Sequence, residues 1–355
     1  MPMTNETIIQ TGLAAFGMSG KVFHGPLLSA HPGFRFKKVV ERSTRTAASL
    51  YPKVEVVDSY EELLRDDAIE LVIVNTPDYL HESMAGQALR AGKHVVVEKP
   101  FTFTYQEAQS LMELAAQKGR FLSVFHNRRW DSDFLTVQQV VKNGWLGHLV
   151  EYEAHYDRFR NFVEANNWKE GTRPGAPASG ILYNLGSHLI DQALVLFGTP
   201  QSVTADIRTQ RPGGQVPDAY ELILEYESLK VTLKSGYLVR EPGPRYLLHG
   251  SEGSFVKYGI DSQEEALKAG GVPGSPGWGM ELESDWGLLN TGLQGLHFRG
   301  KIESLQGNYT RFYEGVYQAI VKGGEPPVKP EEAAAVIRII GAAMESSRQK
   351  RTIRL

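Results

Sequence analysis

The chain opens on a series of short, β-branched apolar runs, over residues 8–13, 34–41, 54–57, 71–75, 94–98 and 121–125. Each is short enough for a strand and too short for a helix. Between them apolar residues recur at helical spacing, as in Met84, Ala85, Ala88, Leu89 and again in Ala108, Leu111, Met112, Leu114, Ala115, with Gly92 and Gly119 placed as helix stops. Strands that alternate with helices predict βαβ units and a doubly wound parallel sheet. After Asp131 the pattern changes. A helix to Asn143, a strand over 149–156, a Pro/Gly-rich loop over 173–180 and a helix over 186–197 lead into alternating strands over 203–207, 220–226 and 229–238. That alternation predicts a largely antiparallel sheet with one covered face. Residues 259–300 show no clear period and read as loop, and helices over 309–321 and 330–347 close the chain. The expected architecture is α/β: a parallel-sheet domain over 1–125, then an α+β domain over 126–355 with a large, mostly antiparallel open sheet.

A chain of 355 residues has room for two such domains, each with its own core. Its net charge of -3 supplies no basic field for nucleic acid or an anionic membrane, which favours small-molecule partners. The absence of cysteine excludes disulfides, thiolate nucleophiles, iron-sulfur clusters and cysteine-ligated zinc. No apolar run is long enough to span a bilayer, and residues 1–10 lack the apolar core of a signal peptide, so a cytoplasmic protein is expected.

After the first strand comes Ala15-Phe16-Gly17-Met18-Ser19-Gly20, a dinucleotide fingerprint in register with strand and helix, with alanine at the first glycine. Gly17 can let the backbone approach a pyrophosphate and Gly20 can let helix and sheet meet closely; a glycine turn without nucleotide is the plain alternative. A phosphate-binding P-loop fits worse, because Gly20-Lys21 is followed by Val22 and not by a hydroxyl. Glu41 ends the second strand where a carboxylate would bind the ribose hydroxyls and repel a 2′-phosphate, which leans toward NAD. Arg42 and Arg45 follow and could clamp a 2′-phosphate if Glu41 turns away, and all three could simply be a solvated turn. Asn75-Thr76-Pro77 ends the fourth strand, either as a loop on the nicotinamide side or as a plain strand-end turn.

Two groups of residues carry candidate chemistry. Lys99 follows the apolar run 94–98 and precedes Pro100, so a lone ammonium sits at a strand end, where such sheets hold ligands; a solvated surface lysine is the alternative. Asn184, His188 and Asp191 are spaced four and three apart and could share one helix face. Histidine is suited to take a proton from an alcohol near neutral pH, and a nearby carboxylate would orient it; a core histidine paired with backbone is the alternative. No histidine pair has zinc-protease spacing and no Gly-x-Ser-x-Gly elbow occurs, so no metal site is expected.

These residues resemble the glucose-fructose oxidoreductase and inositol dehydrogenase family (Gfo/Idh/MocA) over nearly the whole chain. The resemblance rests on 15–20, on Asn75-Thr76-Pro77 with His81, on Glu98-Lys99-Pro100, and on the His188/Asp191 helix. Segments 125–131, 155–160, 187–192 and 255–259 look closest to its bacterial scyllo-inositol dehydrogenase branch. The resemblance implies a Rossmann dinucleotide-binding domain, with His81, Glu98 and Asn127 joining the cofactor residues. It further implies that Lys99 contacts the reacting hydroxyl, that His188 exchanges its proton, and that Asp191 helps bind polyol or cofactor. Two positions depart from the pattern. Asn184 stands where the family usually has aspartate, which puts the catalytic rate in doubt, and Glu41 is unlike the small polar residues of the NADP-using branch.

Tyr156, Arg158, Arg160 and Trp168, with Arg128 and Trp130, are candidate polyol contacts, although a strand that reads Tyr152, Ala154, Tyr156, Arg158 is equally a half-exposed sheet face. The expected function is transfer of hydride between NAD or NADP and a secondary alcohol of a cyclic polyol or sugar. The alternatives are a redox-neutral, NAD-dependent sugar hydrolase or isomerase, and a non-enzymatic nucleotide sensor. The resemblance also implies a homodimer or homotetramer paired through the open sheet face.

Overall fold

The structure, a computed structural model, describes residues 7–164, 169–171 and 180–355. It divides into two compact units: 1–127 with 263–278 and 308–334, and 128–262 with 279–307 and 335–355. The expected division at 125/126 is a single cut, whereas the observed units are interleaved in sequence.

The first unit holds a six-stranded parallel sheet: β1 (Ile9–Leu13), β2 (Phe34–Val40), β3 (Glu55–Val57), β4 (Leu71–Val74), β5 (His94–Val97) and β6 (Leu122–Val124). Its order is β3-β2-β1-β4-β5-β6, so the strand order reverses between β1 and β4, the place at whose carboxyl ends such sheets bind ligands. Every residue of β4 is buried, as is Val95–Val97 of β5, which is why these strands read as unbroken apolar runs. Helix Tyr105–Lys118 begins in a Thr104/Glu107 capping box and stops at Gly119, whose φ of 59° suits glycine.

The second unit holds a nine-stranded mixed sheet. Its strands are β7 (Leu149–His155), β8 (Ser202–Arg208), β9 (Ala219–Glu225), β10 (Lys230–Gly236), β11 (Tyr246–Gly250), β12 (Gly253–Lys257), β13 (Gly287–Leu293), β14 (Leu296–Ile302) and β15 (Ile353–Arg354). The order is β14-β13-β12-β11-β7-β10-β9-β8-β15, antiparallel throughout except for the β7/β10 pair. One face buries Tyr152, Ala154, Leu222, Leu224, Leu233 and Leu248, while Glu151, Glu153, Glu221 and Lys234 occupy the other.

One sequence expectation is corrected. Residues 259–300 are not loop: they contain helix Gln263–Lys268 and the β13/β14 hairpin. The hairpin turns through Gln294 and Gly295, both at positive φ (50° and 82°), as a two-residue hairpin turn requires. Glutamine at the first of these positions hides the signal, and residues 296–299 of β14 are exposed, so burial imposes no alternation there. Strands β11 and β12 were likewise absent from the sequence reading.

Candidate functional site

In the first unit the fingerprint loop leaves β1 beside the end of β4. The Ala15 amide donates to Asn75 Oδ1 at 3.0 Å, and Asn75 Nδ2 donates back to the Ala15 carbonyl at 2.8 Å. A single side-chain amide thus clamps the loop across the point where strand order reverses. Ala15 has no positive φ, so the position tolerates a Cβ and needs no glycine. A Cβ on Gly20 would lie 2.9 Å from the Ala15 carbonyl oxygen and 3.1 Å from Asn75 Nδ2, whereas a Cβ on Gly17 would meet nothing within 4 Å. The loop is therefore tight beneath Gly20 and open above Gly17, the shape a pyrophosphate needs. Phe16 is buried against Phe36 and Tyr51, Met18 is exposed, and Ser19 precedes the π-helical turn Gly20–His24.

Glu41 lies just past β2, buried, with its carboxylate turned onto its own loop. Thr44 Oγ1 and Thr46 Oγ1 (2.6 Å) donate to Oε1, and the Ala47 amide donates to Oε2 at 2.9 Å. Burial opposes ionisation, but these hydrogen bonds outweigh it and hold the carboxyl down to about 2. Arg45 bonds Asp58 (2.6 Å) and the Val56 carbonyl (3.0 Å), while Arg42 is exposed and makes no hydrogen bond or ion pair with the described residues.

At the end of β4 the Thr76 hydroxyl is buried and makes no hydrogen bond with the described residues, although its main-chain carbonyl does. His81 faces that carbonyl through Nε2 (3.0 Å) and the Pro100 carbonyl through Nδ1 (2.7 Å). It thereby ties the loop after Pro77 to the loop that carries Lys99. Glu98 accepts the Lys99 amide at 3.0 Å through Oε2 and faces His24 Nε2 at 3.1 Å through Oε1. Burial pushes its carboxyl up, but the His24 bond and the nearby Lys99 and His81 charges bring it below the usual carboxylate range. Asn75, His81 and Glu98, expected to touch the cofactor, are thus each bonded to the protein, and Asn127 lies buried where this unit ends. The open space over Gly17, the orphaned Thr76 hydroxyl and the unpaired Arg42 fit a dinucleotide.

In the second unit helix Ser187–Phe197 carries His188 and Asp191, both buried. Asn184 lies in the preceding π-helical turn Leu182–Gly186, so the expectation of one regular helix face for all three residues holds only for His188 and Asp191. Both Asp191 oxygens hold Arg129: Nε to Oδ2 at 2.9 Å and Nη2 to Oδ1 at 2.6 Å. Arg129 lies within the segment 125–131 that carries the family resemblance, and no local spacing marks it as the partner of Asp191. Asn184 Oδ1 faces Lys169 Nζ at 3.4 Å.

Tyr156 is buried with its ring edge-on to His188, centroids 6.4 Å apart. Three guanidinium carbons lie near the ring centroid, Arg128 at 5.1 Å, Arg158 at 5.4 Å and Arg245 at 4.5 Å. Such contacts are worth about 0.5–2 kcal/mol each. Arg128 is paired with Asp131 at 3.2 Å and Arg245 with Asp133 at 3.4 Å, whereas Arg158 is exposed. A pocket of about 160 Å³ brings Arg158, Arg160, Lys169, Glu170 and Asn184 together. Trp130 is half-buried, and Trp168 lies outside the described residues. Arg245 was missed because its strand context, 246–250, was missed too. Among the described residues no group of His, Asp and Glu could hold a metal ion, and no helix is long and apolar enough to cross a membrane.

Residues 9–126 match the family described as "Oxidoreductase family, NAD-binding Rossmann fold", and residues 138–355 match its "C-terminal alpha/beta domain". The chain is 45% identical to scyllo-inositol 2-dehydrogenase (NADP(+)) IolW of Bacillus subtilis, over 98% of this chain and 96% of that one. It is 40% identical to the uncharacterized oxidoreductase YdgJ of Escherichia coli, over 97% and 98%. Among solved structures, that of yvaA from Bacillus subtilis, described as an oxidoreductase, superposes with a TM-score of 0.94 at 42% identity, covering 99% of each chain.

Proposed function

The chain belongs to the Gfo/Idh/MocA oxidoreductase family, and we propose that it is an NADP-preferring dehydrogenase acting on a secondary alcohol of a cyclic polyol or sugar. A nicotinamide cofactor, when bound, supplies the hydride acceptor. Lys99, at the end of β5, donates to the reacting oxygen as it becomes negative. His188 takes the hydroxyl proton, and Arg129 fixes Asp191 one helical turn further on. Arg158, exposed beside the buried Tyr156 ring, and Asn184 and Lys169 of the same pocket offer the hydrogen-bonding groups that suit a polyhydroxylated ring.

The observation that carries the cofactor reading is the loop that is tight at Gly20 and open over Gly17. The preference for NADP is supported by Glu41, whose carboxylate serves its own loop, beside Arg42, which has no ionic partner among the described residues; the Bacillus relative's name points the same way. The test follows reduced-nicotinamide absorbance with NAD and NADP offered separately against a panel of inositols and aldoses. Turnover with NADP, and a rise of about tenfold in KM for NADP alone in Arg42→Ala, is expected, since losing one charge-assisted contact costs about 1.4 kcal/mol or more. Preference for NAD overturns the cofactor assignment, and product formed without accumulated reduced cofactor overturns net redox chemistry. Self-association through the charged sheet face belongs to the same proposal, and a monomeric mass by light scattering counts against it.

A further inference from the structure

Three segments far apart in sequence meet in the core of the first unit. Tyr313, on helix Thr310–Lys322, lies 2.6 Å from His24 Nδ1; His24 closes the π-helical turn that follows the fingerprint; and His24 Nε2 lies 3.1 Å from Glu98 Oε1. The other Glu98 oxygen accepts the Lys99 amide. His24 and Tyr313 are fully buried, and the His24 ring is packed against Phe125. The direction of the hydrogen bonds follows from chemistry. Burial, with the Glu98 charge, keeps the Tyr313 hydroxyl protonated, so it can donate to an unprotonated Nδ1. An ionised Glu98 can only accept, so Nε2 carries the proton. With the ring protonated on Nε2, the contacts run from Tyr313 through His24 and Glu98 to the main chain of Lys99.

Buried polar networks cost stability unless complete, and a complete one fixes a single geometry. Nothing in holding the sheet together requires a carboxylate here, since Val95–Val97 and Phe125 already fill this region with apolar side chains. We propose that Tyr313 and His24 are positioning residues: they lock the Glu98 carboxylate, and through it the backbone that aims Lys99. The proposal rests on the assignment of Lys99 to the reacting oxygen, and the experiment separates the two.

Tyr313→Phe, His24→Gln and His24→Leu are compared with Lys99→Met in steady-state kinetics, each checked for cooperative melting, and the histidine ring ¹⁵N spectrum of the wild type is recorded, with His24 identified by its absence in His24→Gln. Tyr313→Phe is expected to lower kcat about tenfold, the low end of what removing a ligand-orienting partner costs, while KM for the nucleotide stays within about twofold. His24→Gln, which keeps an N–H for Glu98, should retain more activity than His24→Leu, and the wild-type ring should show the Nε2–H tautomer. Wild-type kcat in folded Tyr313→Phe and His24→Leu, with Lys99→Met inactive, overturns the relay. Full activity in Lys99→Met instead overturns the Lys99 assignment, and the tautomer then decides: a ring protonated on Nδ1 overturns the relay on its own.

Discussion

At the strand ends of the first unit, polar side chains are tied to main-chain atoms: Asn75 to Ala15, His81 to the Thr76 and Pro100 carbonyls, Glu98 to the Lys99 amide. In the second unit the corresponding side chains are tied to one another as ion pairs, Arg129 to Asp191, Arg128 to Asp131 and Arg245 to Asp133. Side chain bonded to backbone fixes loop shape, which is what the phosphates of an invariant cofactor read. Paired charges around an aromatic ring instead fix a pattern of donors, which substitution can alter without moving the backbone. On this reading, cofactor recognition is built into the path of the chain, and substrate recognition into exchangeable side chains.

The difference predicts where single substitutions hurt most. Arg129→Met leaves Asp191 buried without its fork and should destabilise the protein by about 3–5 kcal/mol in denaturant unfolding. The double variant Arg129→Met/Asp191→Leu, with no stranded charge, should recover much of that loss. Equal losses in single and double variants would mean that the pair is packing and not electrostatics. Lys99→Met and His188→Ala should each fold normally and lower kcat about 100-fold or more, with fluorescence titration of reduced nicotinamide nearly unchanged. A large loss of nucleotide binding in Lys99→Met would move that residue from the reacting oxygen to the cofactor.

How much of this was legible in sequence follows the same line. The parallel sheet was legible because β4 and β5 are covered on both faces and show as continuous apolar runs. The fingerprint was legible because its parts are adjacent in sequence. The relay was not, since His24 reaches Glu98 across 74 positions and Tyr313 across 289, and no local spacing marks either contact. Arg129 was visible as a residue but not as a partner of Asp191, because the two are joined only by the fold. Glu41 is expected as the last residue of the second strand and lies one residue past β2, and the direction of its carboxylate depends on Thr44 and Thr46 hydroxyls whose orientation a sequence does not state.

The loop glycines sharpen the claim that the first unit encodes shape. Gly20→Ala forces a Cβ against the Ala15 carbonyl oxygen at 2.9 Å, so the clamp must open, at about 1–3 kcal/mol of stability. Gly17→Ala meets no protein atom within 4 Å and should leave stability within about 0.5 kcal/mol while weakening nucleotide binding, because the added methyl occupies the open side of the loop. Equal nucleotide affinity in Gly17→Ala and wild type would mean that the phosphates approach elsewhere.

A pH-dependent effect tests Glu41, whose partners are both main chain and hydroxyl. Its carboxyl is held at about 2 in the folded protein against an ordinary 4.5, so it contributes stability while ionised. That contribution is complete above about pH 5 and is lost as pH falls from 4.5 toward 2. Measured against Glu41→Gln, the wild type should be more stable by on the order of 1–3 kcal/mol at neutral pH, with the two unfolding curves converging in acid. No gap at neutral pH would place the carboxylate outside its loop, free to meet a ribose hydroxyl, and would return the cofactor preference to NAD.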